Sequence, residues 1–369
     1  MKKICIYCEK WASGGIESFL TSVIQWIDIE YFQIDLVSCH IENSIFTEMM
    51  KQRGVKFYQL SGNRNRILAN RKIFLNLMKI KRYDILYINA FHGAELYYLS
   101  LGERVGIPKR IAHAHNSMLK NSKFRELKEI VHTVGKNMYA RCGTNLWACS
   151  EVAGHFMFPQ SVWNKVNTVF NGINIKRFQF TKAKRVNTRN QLGLKKEIVL
   201  GNVGRLCQQK NQIFILKVFK DFLEKYPGSK LLLVGDGEDK DRLTKQVYEF
   251  GIQQNVLFIG MTNCVEDLLC AMDIFVFPSI FEGLGIAAVE AQATGLPVIC
   301  SDQVPIEAGL LQNFRRLSLE AGVDQWVQAI ESSCSMPIVR EECAAKVKKG
   351  GYDIQDVSNF IENTFLEGK

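Results

Sequence analysis

Short, continuous apolar runs recur along the chain and alternate with segments whose apolar residues have helical spacing. In the first half these runs lie at residues 3–8, 33–39, 55–60, 84–90, 110–116 and 145–150. Continuous apolar runs, rather than strict alternation with polar residues, are typical of strands that helices cover on both faces. A repeated strand–helix order of this kind predicts a parallel sheet in an α/β protein.

The repeat is interrupted between Asn171 and about Lys196, where the chain is polar, basic and rich in asparagine, as linkers often are. Apolar runs then resume at 197–204, 229–235, 256–260, 273–279 and 296–301. We therefore predict two Rossmann-like, doubly wound parallel-sheet domains, residues 1–175 and 176–350, with a cleft between them. Residues 351–369 should form a helix that packs back on the first domain.

The composition excludes several classes of protein. A chain of 369 residues with 47% hydrophobic residues is long enough for two cores and is not typical of disordered or fibrous proteins. No run approaches the roughly 20 apolar residues of a membrane helix, and the N terminus lacks the apolar region of a signal peptide. We therefore expect a cytoplasmic protein.

The eleven cysteines also favour a cytoplasmic protein. An odd number of cysteines in a long chain without an export signal fits a reducing compartment. Cys5 and Cys8 have C-x-x-C spacing, but no second pair and no nearby histidine completes a zinc site. We therefore predict free thiols rather than disulfides or a metal centre, with Cys5, Cys39, Cys149 and Cys300 buried in or beside strand-like runs.

The net charge of +10 is confined to the first half of the chain. Residues 1–175 contain 23 Lys and Arg against 13 Asp and Glu, whereas residues 176–369 contain 24 of each. Segment 64–82 has seven basic residues, no acidic residue and interleaved apolar residues, and a second basic stretch runs from Lys120 to Lys136. Each segment is either a helix with a solvated face or a peripheral attachment to an anionic membrane leaflet, and both interpretations stay open.

The richest candidate segment is PSIFEGLGIAAVEAQATGLPVICSD, residues 278–302, which follows a strand-like run. Gly283, Leu284 and Gly285 introduce a helix, where backbone N–H groups and the helix dipole favour a phosphate. Glu282 precedes them, and Glu290 lies on a helix that is otherwise apolar except for Gln292, where an unpartnered carboxylate is costly. Either hydroxyls of a ligand or a structural Arg or Lys would serve as its partner.

A second segment, GNVGRLCQQKN, places Arg205 directly after a strand and Lys210 at the start of the next helix. Ligands of open α/β sheets bind beyond the carboxyl ends of strands. A bidentate Arg and a point-charge Lys at such a position suit a diphosphate. Together with Glu282, these cations predict a nucleoside diphosphate site.

These motifs resemble the retaining GT-B glycosyltransferases of family 4, especially the bacterial capsular and exopolysaccharide enzymes, over nearly the whole chain. The matching features are the two glutamates eight residues apart, the Gly-Arg…Lys pair and the glycine loop GGIES with Gly14 and Gly15. VFNGIN, residues 169–174, matches the element before the domain crossover, although Asn174 stands where the family usually has Asp. The resemblance implies transfer from a UDP-hexose or UDP-N-acetylhexosamine to a glycan or lipid-linked acceptor in cell-surface polysaccharide assembly.

The resemblance also implies a role for each matched residue. Glu282 would bind hydroxyls of the transferred sugar, and Glu290 would bind the ribose. The backbone at Leu284 and Gly285 would bind the distal phosphate, while Arg205 and Lys210 would neutralise the departing nucleoside diphosphate. Because these cations take the place of a divalent ion, no metal and no cofactor are implied.

Two histidines of the first domain are further candidates. In RIAHAHNS, strand alternation places His113 and His115 on one face, near the carboxyl end of the strand. A lone strand histidine is more often a satisfied core group. The resemblance places His115 where a histidine reaches the donor sugar, and His113 is the weaker candidate for a sugar or acceptor contact.

Three other functions compete with that of a transferase. A nucleotide-sugar epimerase can share the two-domain shape but uses a different pattern of acid and base residues. A basic α/β nucleic-acid-binding protein is suggested by the pI near 9, but no recognition motif appears, so no nucleic-acid partner is predicted. An NAD-dependent dehydrogenase lacks its G-x-G-x-x-G run here.

Overall fold

The computed structural model describes residues 1–12, 14–119, 125–336 and 338–367. The chain divides into two units, Met1–Gly172 with Ile354–Lys369, and Ile173–Asp353. The second basic stretch of the sequence begins outside the described residues, because Lys120 and Lys123 both fall in the gap at 120–124.

Unit 1 is built on a parallel sheet of seven described strands in the order β3-β2-β1-β4-β5-β6-β7. Its strands are β1 (Lys2–Trp11), β2 (Phe32–Ile41), β3 (Lys56–Gln59), β4 (Ile85–Ala90), β5 (Lys109–Ala114), β6 (Asn145–Ala148) and β7 (Val166–Thr168). Its helices include α1 (Gly15–Trp26), α2 (Ile45–Gln52), α3 (Ile67–Lys81), α4 (Tyr97–Arg104), α5 (Arg125–Tyr139) and α6 (Glu151–Met157).

Unit 2 has a parallel sheet of six described strands in the order β10-β9-β8-β11-β12-β13. Its strands are β8 (Val199–Val203), β9 (Lys230–Val234), β10 (Val256–Gly260), β11 (Ile274–Phe277), β12 (Val298–Ser301) and β13 (Phe314–Leu317). Its helices are α7 (Ile175–Phe178), α8 (Lys182–Gln191), α9 (Gln212–Lys225), α10 (Lys240–Glu249), α11 (Val265–Ala271), α12 (Ile286–Ala293), α13 (Val323–Cys334) and α14 (Cys343–Val347). The predicted α/β class with two parallel sheets is confirmed.

The last helix, α15 (Ile354–Leu366), belongs to unit 1. Its apolar residues Ile354, Val357, Ile361 and Phe365 recur at helical spacing and join the core cluster that also contains residues of α1 and β1. Burying one such side chain contributes about 1.5–3 kcal/mol, so this face fixes α15 against the unit.

The segment expected to be a polar linker instead forms α8 in unit 2. Arg185 and Arg189 on this helix form ion pairs with Asp273, and Arg189 also donates to the carbonyl oxygens of Ala271 and Glu197. The basic residues of the segment therefore pack against the start of β11. This is a tertiary role that local composition does not reveal.

Candidate functional site

A buried ion pair lies at the point where the strand order of the unit 2 sheet reverses. β8 and β11 are neighbours in the sheet, so the loops that follow them meet at its carboxyl edge. The Nζ atom of Lys210, from the first loop, lies 2.6 Å from Oε1 of Glu282, from the second. Both side chains are largely buried, at 18% and 7% exposure. Open α/β sheets bind their ligands at such reversals.

Hydrogen bonds join the two loops on either side of this pair. The backbone N–H of Ile280 donates to the carbonyl oxygen of Gln209 at 2.8 Å, and the Gln209 side chain donates to the carbonyl oxygen of Phe281 at 3.0 Å. Asn211 donates to the carbonyl oxygen of Pro278 at 3.2 Å. Lys210 is therefore flanked by residues that fix its loop to the Glu282 loop, and sequence reasoning missed both of them.

The phenyl ring of Phe277, the last residue of β11, lies beneath the pair. The Lys210 ammonium is 4.9 Å from the ring centroid, a cation–π contact. The same ring would lie 3.3 Å from a Cβ atom added at Gly285, where Val304 would lie at 3.1 Å. Gly285 also has φ of 89°, so both its conformation and its surroundings favour glycine.

Helix α12 begins directly after Gly285, and no side chain of the described residues caps its N terminus. An uncapped N terminus presents backbone N–H groups together with the positive end of the helix dipole. Gly283 and Leu284 precede it within the same loop, and the Leu284 side chain is buried. The structure therefore brings Lys210, Glu282 and this N terminus together, which suits an anionic ligand that also carries hydroxyl groups.

Arg205 lies in the same loop as Lys210 but is more exposed. Its Nε atom is 2.8 Å from Oε2 of Glu238, and both side chains are more than half exposed. An exposed pair of this kind contributes about 0–1 kcal/mol to stability. The guanidinium can therefore leave Glu238 for a diphosphate at little cost.

The Glu290 side chain lies further along α12 and forms no hydrogen bond or ion pair within the part of the chain that the structure describes. Burial raises the pKa of its carboxyl to about 8, an effect that nearby Arg177 opposes and Glu266 adds to. Arg177 itself forms an ion pair with Glu266, at 2.9 Å. The structural Arg or Lys partner that the sequence left open for Glu290 is therefore not found among the described residues.

His113 lies in unit 1, on β5, with both ring nitrogens engaged. Nε2 lies 3.0 Å from the carbonyl oxygen of Val169, so it carries the proton, and Nδ1 accepts from the Tyr87 hydroxyl at 2.8 Å. Burial lowers the pKa of His113 to about 3. These contacts leave no ring nitrogen for a sugar and favour a structural role.

His115 differs from His113 in one respect. Its Nε2 atom donates to Oδ1 of Asn89 at 3.0 Å, whereas Nδ1 is buried and makes no hydrogen bond of standard geometry to the described residues, although the Asn171 side chain lies near the ring. Burial holds the pKa of His115 well below its usual value, so the ring is neutral and Nδ1 can accept a hydrogen bond. Phe19 packs against both histidine rings, at centroid distances of 5.6 and 5.7 Å.

The glycine loop of unit 1 leads into α1. Gly14 is the N-cap and Gly15 the first residue of the helix, and both are exposed. A Cβ atom at Gly14 would lie 2.9 Å from Oε2 of Glu17, a buried carboxylate whose Oε1 accepts from the backbone N–H of Ala12 at 3.0 Å. Glycine therefore leaves room for this carboxylate, and Glu17 was not among the residues predicted from the sequence.

The basic segment 64–82 contains α3, whose outward face combines cations with large apolar side chains. Lys72 and Lys79 are exposed, as are Leu68 and Ile80, at 79% and 68%. α5, in the second basic stretch, also exposes an apolar stripe: Leu127, Ile130, Val131, Val134 and Met138. No helix in the described ranges is both long and apolar enough to cross a membrane.

Comparison with known proteins relates this geometry to a family. Residues 184–350, most of unit 2, match the family described as Glycosyl transferases group 1. The matched segment contains Arg205, Lys210, Glu282 and Glu290. The candidate site in unit 2 therefore lies inside the segment that matches this family.

Two curated relatives extend the likeness to nearly the whole chain. The putative glycosyltransferase EpsF of Bacillus subtilis is 27% identical over 95% of this chain and 93% of its own length. The UDP-Gal:alpha-D-GlcNAc-diphosphoundecaprenol alpha-1,3-galactosyltransferase of Escherichia coli is 25% identical over 91% of this chain and 90% of its own length. The capsular polysaccharide biosynthesis glycosyltransferase CapM of Staphylococcus aureus is 30% identical over a shorter part, 44% of this chain and 44% of its own length.

A solved structure has the same fold. Alr3699/HepE of Anabaena, in complex with UDP-glucose, aligns with a TM-score of 0.78 over 99% of both chains, at 17% sequence identity. At this identity the likeness concerns the fold, and it extends over both units.

Proposed function

We propose that this protein is a glycosyltransferase of group 1 that transfers a hexose or N-acetylhexosamine from a UDP-sugar to a glycan or lipid-linked acceptor with retention of configuration. The observation that carries the proposal is the buried Lys210–Glu282 pair at the strand reversal of the family-matched unit. A cation and a carboxylate held together beside an uncapped helix N terminus suit a ligand that is part phosphate and part sugar.

Transfer requires stabilisation of the negative charge that develops on the departing UDP. Lys210, Arg205 and the N terminus of α12 supply positive charge for its phosphates, and fixed charges in a partly buried site stabilise such a transition state strongly. Glu282 accepts hydrogen bonds from hydroxyls of the sugar. This arrangement provides phosphate neutralisation from the protein itself, so we propose transfer that continues in EDTA.

Two further side chains are proposed to contact the donor, Glu290 from unit 2 and His115 from unit 1. Glu290 has no partner among the described residues and a raised pKa, and ribose hydroxyls would satisfy its carboxyl group. His115 offers its buried Nδ1 to a hydroxyl of the transferred sugar. We further propose that the exposed Gly14–Gly15 turn, at the N terminus of α1 in unit 1, contacts the donor.

The acceptor proposal is supported by chemistry and by the Escherichia coli relative, whose name specifies a lipid diphosphate acceptor. The outward face of α3 joins cations to exposed aliphatic side chains, which suits the anionic leaflet in which such acceptors reside. We therefore place the protein in cell-surface polysaccharide assembly, at the cytoplasmic face of the membrane.

A thermal-shift screen tests the proposed donor, with UDP, GDP, ADP, CMP and NAD and their sugar conjugates in EDTA. A ligand that binds only the native state raises the apparent melting temperature. We expect a shift confined to UDP and UDP-sugars. An equal response to all nucleotides, or none, contradicts the donor assignment.

Product analysis separates the transferase from an epimerase. With the stabilising UDP-sugar and no acceptor, an epimerase would convert the sugar to its stereoisomer, whereas the proposed enzyme returns it unchanged. With a lipid-linked acceptor, NMR of the product should show the anomeric configuration of the donor. A product with inverted anomeric configuration would contradict the proposed retention but would still support the transferase assignment.

A further inference from the structure

Unit 1 contains a second cluster of chemically active side chains, which the proposed function does not use. Glu9 lies near the end of β1, His92 follows β4, and Glu95 lies one turn further on. β1 and β4 are neighbours, and the strand order of the unit 1 sheet reverses between them. The cluster therefore occupies the ligand-binding position of its own sheet.

The distances within the cluster are those of ion pairs, and each is longer than a direct hydrogen bond. The Nε2 atom of His92 lies 3.4 Å from Oε1 of Glu95 and 3.6 Å from Oε1 of Glu9, and the three atoms lie within 4.8 Å of one another. Direct N–H···O hydrogen bonds are shorter, at about 2.7–3.2 Å. Two ligands that each lie about 2.0–2.2 Å from a tetrahedral ion are roughly 3.3–3.6 Å apart, which matches the two histidine distances.

The Glu95 carboxylate provides a second, independent observation. Its side chain is 3% exposed, and Oε2 accepts from the backbone N–H of Phe91 at 2.8 Å. Oε1 is fully buried, makes no hydrogen bond to the described residues and faces the cluster. Because its ion-pair contact with His92 is longer than a hydrogen bond, this buried oxygen retains a desolvation cost, which a cation at the centre of the cluster would remove.

The second carboxylate oxygen of Glu9 is in contact with a residue outside the cluster. Arg64 lies 3.3 Å from Oε2 of Glu9, which fixes the carboxylate and leaves Oε1 directed at His92. Contacts of this kind orient metal ligands in many proteins. The His92 side chain is 28% exposed, so solvent can reach the cluster from one side.

We propose that Glu9, His92 and Glu95 bind a divalent cation in unit 1. One imidazole and two carboxylates suit ions that accept mixed nitrogen and oxygen ligands, such as Mn²⁺ or Zn²⁺. Three protein ligands leave coordination positions for water or for an oxygen of a bound ligand. The site lies in unit 1, whereas the cations assigned to the donor phosphates lie in unit 2, so the proposal is independent of metal-free transfer.

Mn²⁺ binding to the full-length protein tests this site, with the free ion measured by electron paramagnetic resonance at pH 8. Mn²⁺ is preferred to Zn²⁺ because soft thiolates of the eleven cysteines compete less for it. Nucleotides are left out because diphosphates chelate the ion. We expect one bound Mn²⁺ per chain, at least tenfold weaker binding in Glu95→Gln and His92→Gln, and unchanged binding in Glu48→Gln, an exposed carboxylate on α2.

Circular dichroism establishes that each variant is folded. Should Glu95→Gln fail to fold, His92→Gln carries the comparison, because His92 is partly exposed. No Mn²⁺ binding by the wild type at 1 mM, or equal binding by wild type and both cluster variants, would overturn the proposal. In that outcome the cluster is an ion-pair network around a protonated His92.

Discussion

The Lys210 ammonium and the Glu282 carboxylate lie 2.6 Å apart although 72 positions separate them in the chain. Because both side chains are largely buried, the carboxylate reduces the field that Lys210 exerts on a phosphate, and it also holds the ammonium in place. Removing one member of a buried pair costs about 3–5 kcal/mol, whereas removing both can be nearly neutral. The pair therefore links the stability of the loops to the binding of a donor.

Replacing Lys210 should separate phosphate binding from sugar binding. We expect Lys210→Met to weaken UDP binding at least tenfold in calorimetry, because a buried cation for the diphosphate is lost. Glu282→Gln should keep UDP affinity within threefold and lower kcat at least tenfold. Lys217→Met, at an exposed position on α9, is the matched control and should bind UDP normally. Equal UDP affinity in Lys210→Met and wild type contradicts the diphosphate assignment.

The sequence could predict which loops carry this site but not how their side chains pair. Lys210 and Glu282 each follow an apolar run that reads as a buried strand, so their position at the carboxyl edge was predictable. Their contact depends on β8 lying beside β11, a tertiary arrangement that periodicity does not encode. The same limit explains Arg189, whose place in a polar segment gave no sign that it would be buried against Asp273.

His113 and His115 should respond differently to substitution. Replacing His113 leaves the Tyr87 hydroxyl and the Val169 carbonyl without their partner, at about 1–3 kcal/mol for each buried group. We expect His113→Ala to lower the melting temperature with UDP affinity unchanged. His115→Ala should lower kcat at least tenfold with a smaller loss of stability. If His113→Ala lowers kcat while its melting temperature equals that of the wild type, the structural role assigned to His113 is wrong.

Strand alternation was sufficient to place both histidines on one face, but it could not distinguish them. The distinction arises from Tyr87 and Asn89 on β4 and from Val169 after β7, which lie 26 or more positions away from the histidines they contact. Hydrogen-bond saturation is a property of the packed sheet. A sequence pattern therefore identifies such residues as candidates and leaves their roles to the structure.

Glu290 should make stability depend on pH in a defined direction. Its folded pKa of about 8 lies above the ordinary value of 4.5, so the folded state holds a proton that the unfolded state releases. The stability that this proton confers is complete below pH 4.5 and is lost as the pH rises to about 8. We expect the melting temperature of Glu290→Gln, relative to that of the wild type, to rise as the pH increases from 5 to 9.

The control for this titration is Glu224→Gln, which changes an exposed carboxyl on α9. It should follow the wild-type curve at every pH. If the ribose contacts this carboxyl group, saturating UDP should change the difference in melting temperature between Glu290→Gln and the wild type. Parallel melting curves for Glu290→Gln and wild type between pH 5 and pH 9 would show that the buried carboxyl is ionised throughout.

Membrane attachment through α3 should depend on where its charges lie, not on how many there are. Lys72 and Lys79 stand on the outward face beside Leu68 and Ile80. Each lysine near an anionic surface contributes about 1 kcal/mol, so Lys72→Glu with Lys79→Glu should lower binding to phosphatidylglycerol vesicles at least tenfold in sedimentation. Lys240→Glu with Lys245→Glu, on α10, changes the net charge equally and should bind as wild type does. If both double variants lose vesicle binding equally, net charge alone explains the binding. If neither loses binding, α3 does not contact the membrane.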